Sequence, residues 1–205
     1  MNFNEFSREL RPLIVFSKSD ILKIDKKFND ENLCTWQNKE YIVKLARGYY
    51  TFADNTVDKN LLYFTCNKII DPSYISCESA LSYYNLASLE DELTSVCPIK
   101  SYTYKTDYAG FKYHRLNNPS LMFDINLVKK GHYYFKIATP EKAIVDYFFF
   151  NPQHQTKAKI AKLDFSKQIV TEKVNHNLLR QFSDAYQNQS LKTRINNFLK
   201  IFHGR

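Results

Sequence analysis

The sequence predicts an α+β chain in two units: short helices closed by a β-hairpin over residues 1–55, then a larger domain with an antiparallel sheet and packed helices over residues 56–205. Three patterns predict it. Helical spacing and a paired β-rich run share the first 55 residues, four segments between residues 99 and 138 alternate apolar and polar at period two, and helical spacing returns from Thr139 onward. With 44% of its 205 residues hydrophobic and 16% aromatic, the chain can fill one sizeable core or two modest ones, and a disordered chain is excluded.

Asn4 to Leu10 is a short amphipathic stretch ended by Pro12, followed by the apolar run Leu13-Ile-Val-Phe16. Ser17 opens a second helix, with Asp20 three residues on as a short-armed relative of the capping box, and Ile21, Leu22 and Ile24 on its inner side. A third helix starts at Asn29 or Asp30, which can accept from the free N–H groups of a first turn, and runs through Leu33 and Trp36 to about Lys39. Tyr41 to Phe52 reads as two strands about Ala46-Arg47-Gly48, where glycine supplies the positive φ of a tight turn. Helix, helix, polar helix and hairpin is the order of a winged helix-turn-helix, whose second paired helix enters the major groove of DNA. Asn32, Thr35, Gln37, Asn38 and Lys39 are the candidate base-reading residues, and Lys44 and Arg47 of the wing are candidates for phosphate or minor-groove contacts.

In the larger domain, Leu61 to Ile70 is an apolar helix broken by Asp71-Pro72, because the residue before proline disfavours helix. A further helix is expected over Ser73 to Tyr84, with Ser73 as its cap. The segments Ile99–Thr106, Phe111–Leu116, Leu121–Leu127 and Tyr133–Ala138 are separated by turn residues, which predicts an antiparallel meander. Thr139-Pro140-Glu141 is a helix start, with threonine as N-cap, proline at the first position and glutamate where the helix dipole favours an anion. The helix through Phe150 is apolar nearly all round and is expected to be buried, with Lys142 and Asp146 four residues apart and able to pair. Leu178, Leu179, Phe182 and Tyr186 mark one closing helix. Leu191, Ile195, Phe198, Leu199 and Phe202 mark the other, leaving Lys192, Arg194 and Lys200 for its remaining surface.

The net charge of +8 is concentrated at the end: residues 151–205 hold ten Lys/Arg against three Asp/Glu, whereas residues 1–60 hold ten against nine. A basic surface attracts a polyanion through counterion release, which makes Lys192, Arg194 and Lys200 candidates for non-specific DNA contact. Cys34, Cys66, Cys77 and Cys97 form no C-x-x-C pair and read as buried free thiols of a cytoplasmic protein. His114, His132, His154, His176 and His203 are equally dispersed, so ligand spacing predicts no metal centre, and no cofactor is expected. The N-terminus has no secretion pattern, and no apolar run approaches the roughly 20 residues of a membrane span, so no membrane partner is expected.

Three segments carry a resemblance: Val43-Lys-Leu-Ala-Arg-Gly-Tyr-Tyr50, Pro72-Ser-Tyr-Ile-Ser-Cys-Glu-Ser-Ala-Leu-Ser-Tyr-Tyr-Asn-Leu86 and Ala138-Thr-Pro-Glu-Lys-Ala-Ile-Val-Asp146. In this order, over about residues 13–150, the chain resembles the AbiEi-type antitoxin family. Members of that family carry R-G-x-Y at the wing, Y-I-S-x-x-S-A-L followed by G-L, and A-T-x-E-K-A-x-x-D. The matching motif residues are Tyr74, Ser76, Ser79, Thr139, Glu141, Lys142 and Asp146. Asn85-Leu86 stands where a glycine is expected, and asparagine also tolerates the left-handed C-cap conformation. The resemblance implies a type IV antitoxin of abortive infection, a phage defence, that represses its own operon at promoter DNA and counteracts a nucleotidyltransferase toxin, leaving open whether the two proteins touch. Read as residues alone, Ser73, Ser76 and Ser79 fix the entry of a packed helix.

Two alternatives stand beside this reading: a winged-helix transcriptional regulator without a toxin, and a defence-locus nuclease built on Asp124 and Glu141-Lys142. A nucleotidyltransferase requires a Gly-Ser turn and paired carboxylates for magnesium. No glycine here precedes serine, no D-x-D occurs and a P-loop is absent, so a non-enzymatic protein is expected.

Overall fold

The computed structural model describes residues 1–89 and 92–202; His203 and Gly204 lie outside the described residues. The protein is α+β, with a three-stranded and a six-stranded sheet. Helices α1 (Phe3–Leu10), α2 (Lys18–Ile24) and α3 (Glu31–Asn38) accompany strands β1 (Val15–Ser17), β2 (Ile42–Ala46) and β3 (Tyr49–Phe52). Ser17 caps α2: its Oγ accepts from the Asp20 N–H at 3.2 Å, and the Asp20 carboxylate accepts from the Ser17 N–H at 2.9 Å. Ser17→Ala is therefore expected to lower stability by about 1 kcal/mol, read as an earlier urea midpoint with an unchanged slope. A loss below a few tenths would show that the cap is replaced by solvent. Of the two residues expected to cap α3, Asn29 makes the bond. Asp30 occupies the N-cap position without a side-chain cap bond, while Asn29 accepts from the Glu31 N–H.

The three-stranded sheet runs β1-β3-β2, all antiparallel, and Gly48 takes φ +78° in the turn between β2 and β3. Because strand side chains alternate, this sheet feeds two cores. Phe16, Ile42 and Tyr50 pack with Phe6, Phe28 and Trp36, an aromatic cluster in which the Phe6 and Trp36 rings lie 4.4 Å apart. Val15 and Leu45 instead join the core of the larger unit. The two units expected on either side of residue 55 thus share this sheet, and the Lys68 ammonium donates to the Val15 carbonyl across them.

Beyond it come α4 (Lys59–Ile69), β4 (Tyr74–Ile75), α5 (Cys77–Tyr83), β5 (Leu93–Cys97), β6 (Tyr102–Lys105), β7 (Gly110–Arg115), β8 (Ile125–Lys130) and β9 (Tyr133–Ala138). The sheet order is β6-β7-β5-β4-β9-β8. This corrects the predicted meander. The hairpins β6–β7 and β8–β9 form as their alternation predicts, but β4 and β5 sit between them, and β5 pairs with β7, and β4 with β9, in parallel. Every residue of β4 and β5 is buried, so neither strand has the polar-apolar alternation that betrays a half-exposed strand. The same cause corrects the helix expected over Ser73 to Tyr84, which holds the strand Tyr74–Ile75 before α5 begins; separately, the strand expected from Leu121 starts only at Ile125, after a 3-10 turn (Pro119–Leu121).

Register fixes the layers. Tyr74, Val96 and His114 are cross-strand partners on one face, and Ile75, Ser95 and Tyr113 are partners on the other. The Tyr113 hydroxyl donates to the Cys66 carbonyl of α4 at 2.9 Å, which places α4 on the second face. Helix α6 (Pro140–Phe150), capped by Thr139, lies on the first. Helices α7 (Lys157–Ile160), α8 (Lys167–Lys173), α9 (His176–Ala185) and α10 (Gln189–Phe202) close the chain, with the Phe165 ring in contact with those of Phe148, Phe198 and Phe202. Asn85 follows α5 at φ +59°, the left-handed C-cap conformation. Cys34 is exposed, against the expectation that all four thiols are buried, because it lies on the side of α3 opposite Leu33 and Trp36.

Candidate nucleic-acid interface

Helix α3 buries Leu33 and Trp36 and exposes Cys34, Thr35 and Asn38, with Lys39 exposed just beyond. Asn32 and Gln37 are half-buried, and the Gln37 amide donates to the Leu33 carbonyl at 3.0 Å, so of the predicted base readers Thr35, Asn38 and Lys39 are the ones presented outward. Lys44 is the cross-strand partner of Tyr50, and directly opposed residues share a sheet face. Tyr50 packs with Leu33 and Trp36 of α3, which puts Lys44 on the side of the hairpin that carries this helix. Burial raises the Tyr50 phenol above its ordinary value, and the nearby Cys34, Asp30 and Lys18 also act on it.

Arg47 sits exposed at the turn, and among the described residues neither it nor Lys44 has an ion pair. Both line a cleft of about 320 Å³ with Lys105 and Asp107. Arg47 and Lys105 continue into a second cleft beside Lys100, Tyr102 and Tyr104 of the sheet edge. Lys100 lies 5.0 Å over the Tyr102 ring. Sequence reasoning did not single out this edge, although its Lys-Ser-Tyr-Thr-Tyr-Lys alternation of basic and aromatic residues was visible. Only the fold sets this strand edge beside the turn between β2 and β3.

The basic patch predicted on α10 is corrected. Arg194 is 3% exposed, and its guanidinium donates to Ser190 at 2.7 Å. It follows Leu191 by three residues and adjoins Ile195 on the buried side, where helical phase carries it despite its charge. Lys192 pairs with Asp184 at 2.9 Å, and Lys200 alone of the three is exposed without an ion pair among the described residues.

Four of the motif residues, Tyr74, Ser76, Lys142 and Asp146, lie elsewhere, in a buried polar network. Lys142 and Asp146 are both fully buried, one turn apart on α6. The Lys142 ammonium donates to Asp146, to the Tyr74 hydroxyl at 2.9 Å and to the Tyr186 hydroxyl at 2.6 Å. Asp146 also accepts from Tyr74 at 2.9 Å, from Ser76 at 2.7 Å and from Tyr186. Tyr74 and Ser76 are two residues apart, so both reach the face on which α6 lies. All three ammonium donors are used and each carboxylate oxygen has two donors, so the network is closed. Burial, then the Asp146 charge, pushes both phenols well above their ordinary values, so they stay protonated donors. Ser79 accepts from the Thr94 N–H at 2.7 Å, Glu141 accepts from the Asn175 N–H at 2.6 Å, and Thr139 donates to Asp124. Asp124, Glu141 and Lys142, the acids and lysine of the nuclease alternative, are thus committed to three different partners. Tyr186, read from the sequence as an apolar helix marker, is the network's unforeseen member.

No protein-family model and no curated protein matches the chain. Among solved structures it is similar to the RV2827C protein from Mycobacterium tuberculosis, at 13% identity over 98% of this chain and 79% of that one, with a TM-score of 0.46.

Proposed function

We infer that this chain is a DNA-binding antitoxin whose residues 1–55 form a winged helix-turn-helix reading its own promoter. The observation that carries the DNA-binding half is the exposed polar side of α3, with Thr35 and Asn38, placed beside a hairpin that offers Lys44 and Arg47 without ion pairs among the described residues. Asparagine can bond an adenine edge, and lysine and arginine can hold the flanking phosphates. Lys105 and Lys100 extend the basic surface beyond the wing, a role the sequence assigned to α10. The antitoxin half, opposing a nucleotidyltransferase toxin, rests on the motif resemblance.

Wild-type protein is expected to bind its promoter more tightly than scrambled DNA at physiological salt. Asn38→Ala should cost about 1–3 kcal/mol and relax specificity where it contacts a base. Combined Lys44→Ala, Arg47→Ala and Lys105→Ala should weaken binding to every sequence and flatten the salt dependence by about one unit per lost phosphate contact. Equal affinity for promoter and scrambled DNA removes the reading. For the antitoxin half, deleting this gene should make an adjacent nucleotidyltransferase gene toxic, and the full-length triple variant should rescue growth. A harmless neighbour alongside intact promoter binding would leave a stand-alone regulator.

A further inference from the structure

We propose that Cys77, Glu78 and His114 form a binding site for one divalent transition ion of the zinc type. Their ligand atoms, one sulfur, one carboxylate oxygen and one imidazole nitrogen, all lie within 4.8 Å of one another. Neighbouring ligands on a tetrahedral zinc ion are separated by roughly 3.3–3.8 Å, as follows from its bond lengths, so small side-chain rotations close the site.

A second observation points to a ligand. Glu78 Oε2 and His114 Nε2 are buried and have no hydrogen-bond partner among the described residues. Buried polar atoms are nearly always satisfied, and two orphans flanking a thiol are what an unfilled coordination site leaves behind. The other carboxylate oxygen is already held, because Asn151 donates to Glu78 Oε1 at 3.3 Å. The imidazole is fixed by stacking on Phe150, with centroids 4.5 Å apart and an interplanar angle of 13°. Partners of this kind orient ligands around a metal.

The backbone explains how two consecutive residues serve one ion. Cys77 begins α5 with φ +49°, a left-handed turn uncommon outside glycine, and this reversal lets the Cys77 and Glu78 side chains converge. His114 arrives on β7, across β5 from the strand that leads into Cys77. A thiolate, a carboxylate and a neutral imidazole carry two negative charges, which a divalent ion balances inside the protein. On binding, the Cys77 sulfur forms a bond to the metal and the thiol proton passes to buffer. Glu78 also lines an open cleft of about 550 Å³ with Glu92, Thr94, Lys105 and Lys112, so the carboxylate side of the site borders solvent-accessible space. A soft sulfur with nitrogen and oxygen donors selects zinc, cobalt or nickel over magnesium or calcium.

The test uses the full chain freed of metal by chelation and titrated with cobalt(II), then with zinc. Cobalt should bind one equivalent with a thiolate-to-metal charge-transfer absorption, and zinc should displace it. Cys77→Ser should abolish that absorption, and Glu78→Gln and His114→Gln should each weaken zinc binding at least tenfold. Cys34→Ser, which removes the exposed thiol, should change nothing. Glu78 is half-buried and its glutamine variant keeps the Asn151 contact, so it tests the site even where Cys77→Ser fails to fold. The proposal is overturned when wild type binds no stoichiometric ion, when Cys34→Ser removes the absorption, or when a folded Glu78→Gln protein binds zinc as wild type does.

Discussion

Lys142→Ala is expected to cost about 3–5 kcal/mol of folding stability, the range for breaking a buried ion pair by removing one partner. The size follows from what remains. Asp146 stays fully buried with its charge and loses the only ion-pair partner it has among the described residues, while the Tyr74 and Tyr186 hydroxyls lose a donor. Asp146→Ala should cost as much, because the ammonium is then enclosed among the Tyr74, Phe123 and Tyr186 rings with no carboxylate. Lys142→Met with Asp146→Leu should cost less than either single change, since no unpaired charge is left, though Ser76 and the two phenols still lose an acceptor. Denaturant melts of the two alanine variants and the Met/Leu double variant give the measurement. Single-variant losses below 1 kcal/mol would show that water reaches the pair and that the network does not clamp β4 to α6 and α9.

The second large effect is pH-dependent. Burial, and after it the Lys112 charge, pushes His114 from 6.5 down to about 4, with Asp146 acting weakly in the other direction. Below pH 6.5 the unfolded chain takes up a proton at this imidazole that the folded chain resists. Stability is therefore fully present above pH 6.5, declines as the pH falls and is lost by about pH 4, to a total of about 3 kcal/mol. Burial raises the half-buried Asp20 carboxyl, but its bonds to Ser17 and the nearby Lys68 charge hold it below its ordinary 3.8, so it adds its loss only below that value. Urea melts between pH 7 and 4, in chelator so that no ion holds the imidazole, should show this decline in wild type and a shallower one in His114→Gln, where His154, also lowered by burial, still titrates. Parallel profiles for the two proteins would place the titrating group elsewhere.

Local chemistry determined what the sequence disclosed. The Ser17 and Thr139 caps, the turn at Gly48, the hairpins β6–β7 and β8–β9, and the Lys142–Asp146 spacing depend on residues within a few positions of one another. Each therefore leaves a pattern in a short window. The buried strands β4 and β5 left no such pattern, because a strand covered on both faces has no alternation to read. Their insertion between the hairpins replaced a meander with a mixed sheet. Helical phase, not charge, decided Arg194: a basic residue on the buried side of α10 is counted in a charge sum but is not on the surface. Tertiary structure alone brought Tyr186 to Asp146 and set Lys100 and Lys105 beside Arg47. It also carried His114 across the sheet to Cys77 and Glu78, where dispersed histidines had argued against any metal. A ligand set that spans a sheet has no characteristic spacing along the chain. Parallel pairing joins strands through crossovers of a dozen residues or more, so residues far apart in sequence become neighbours in the sheet.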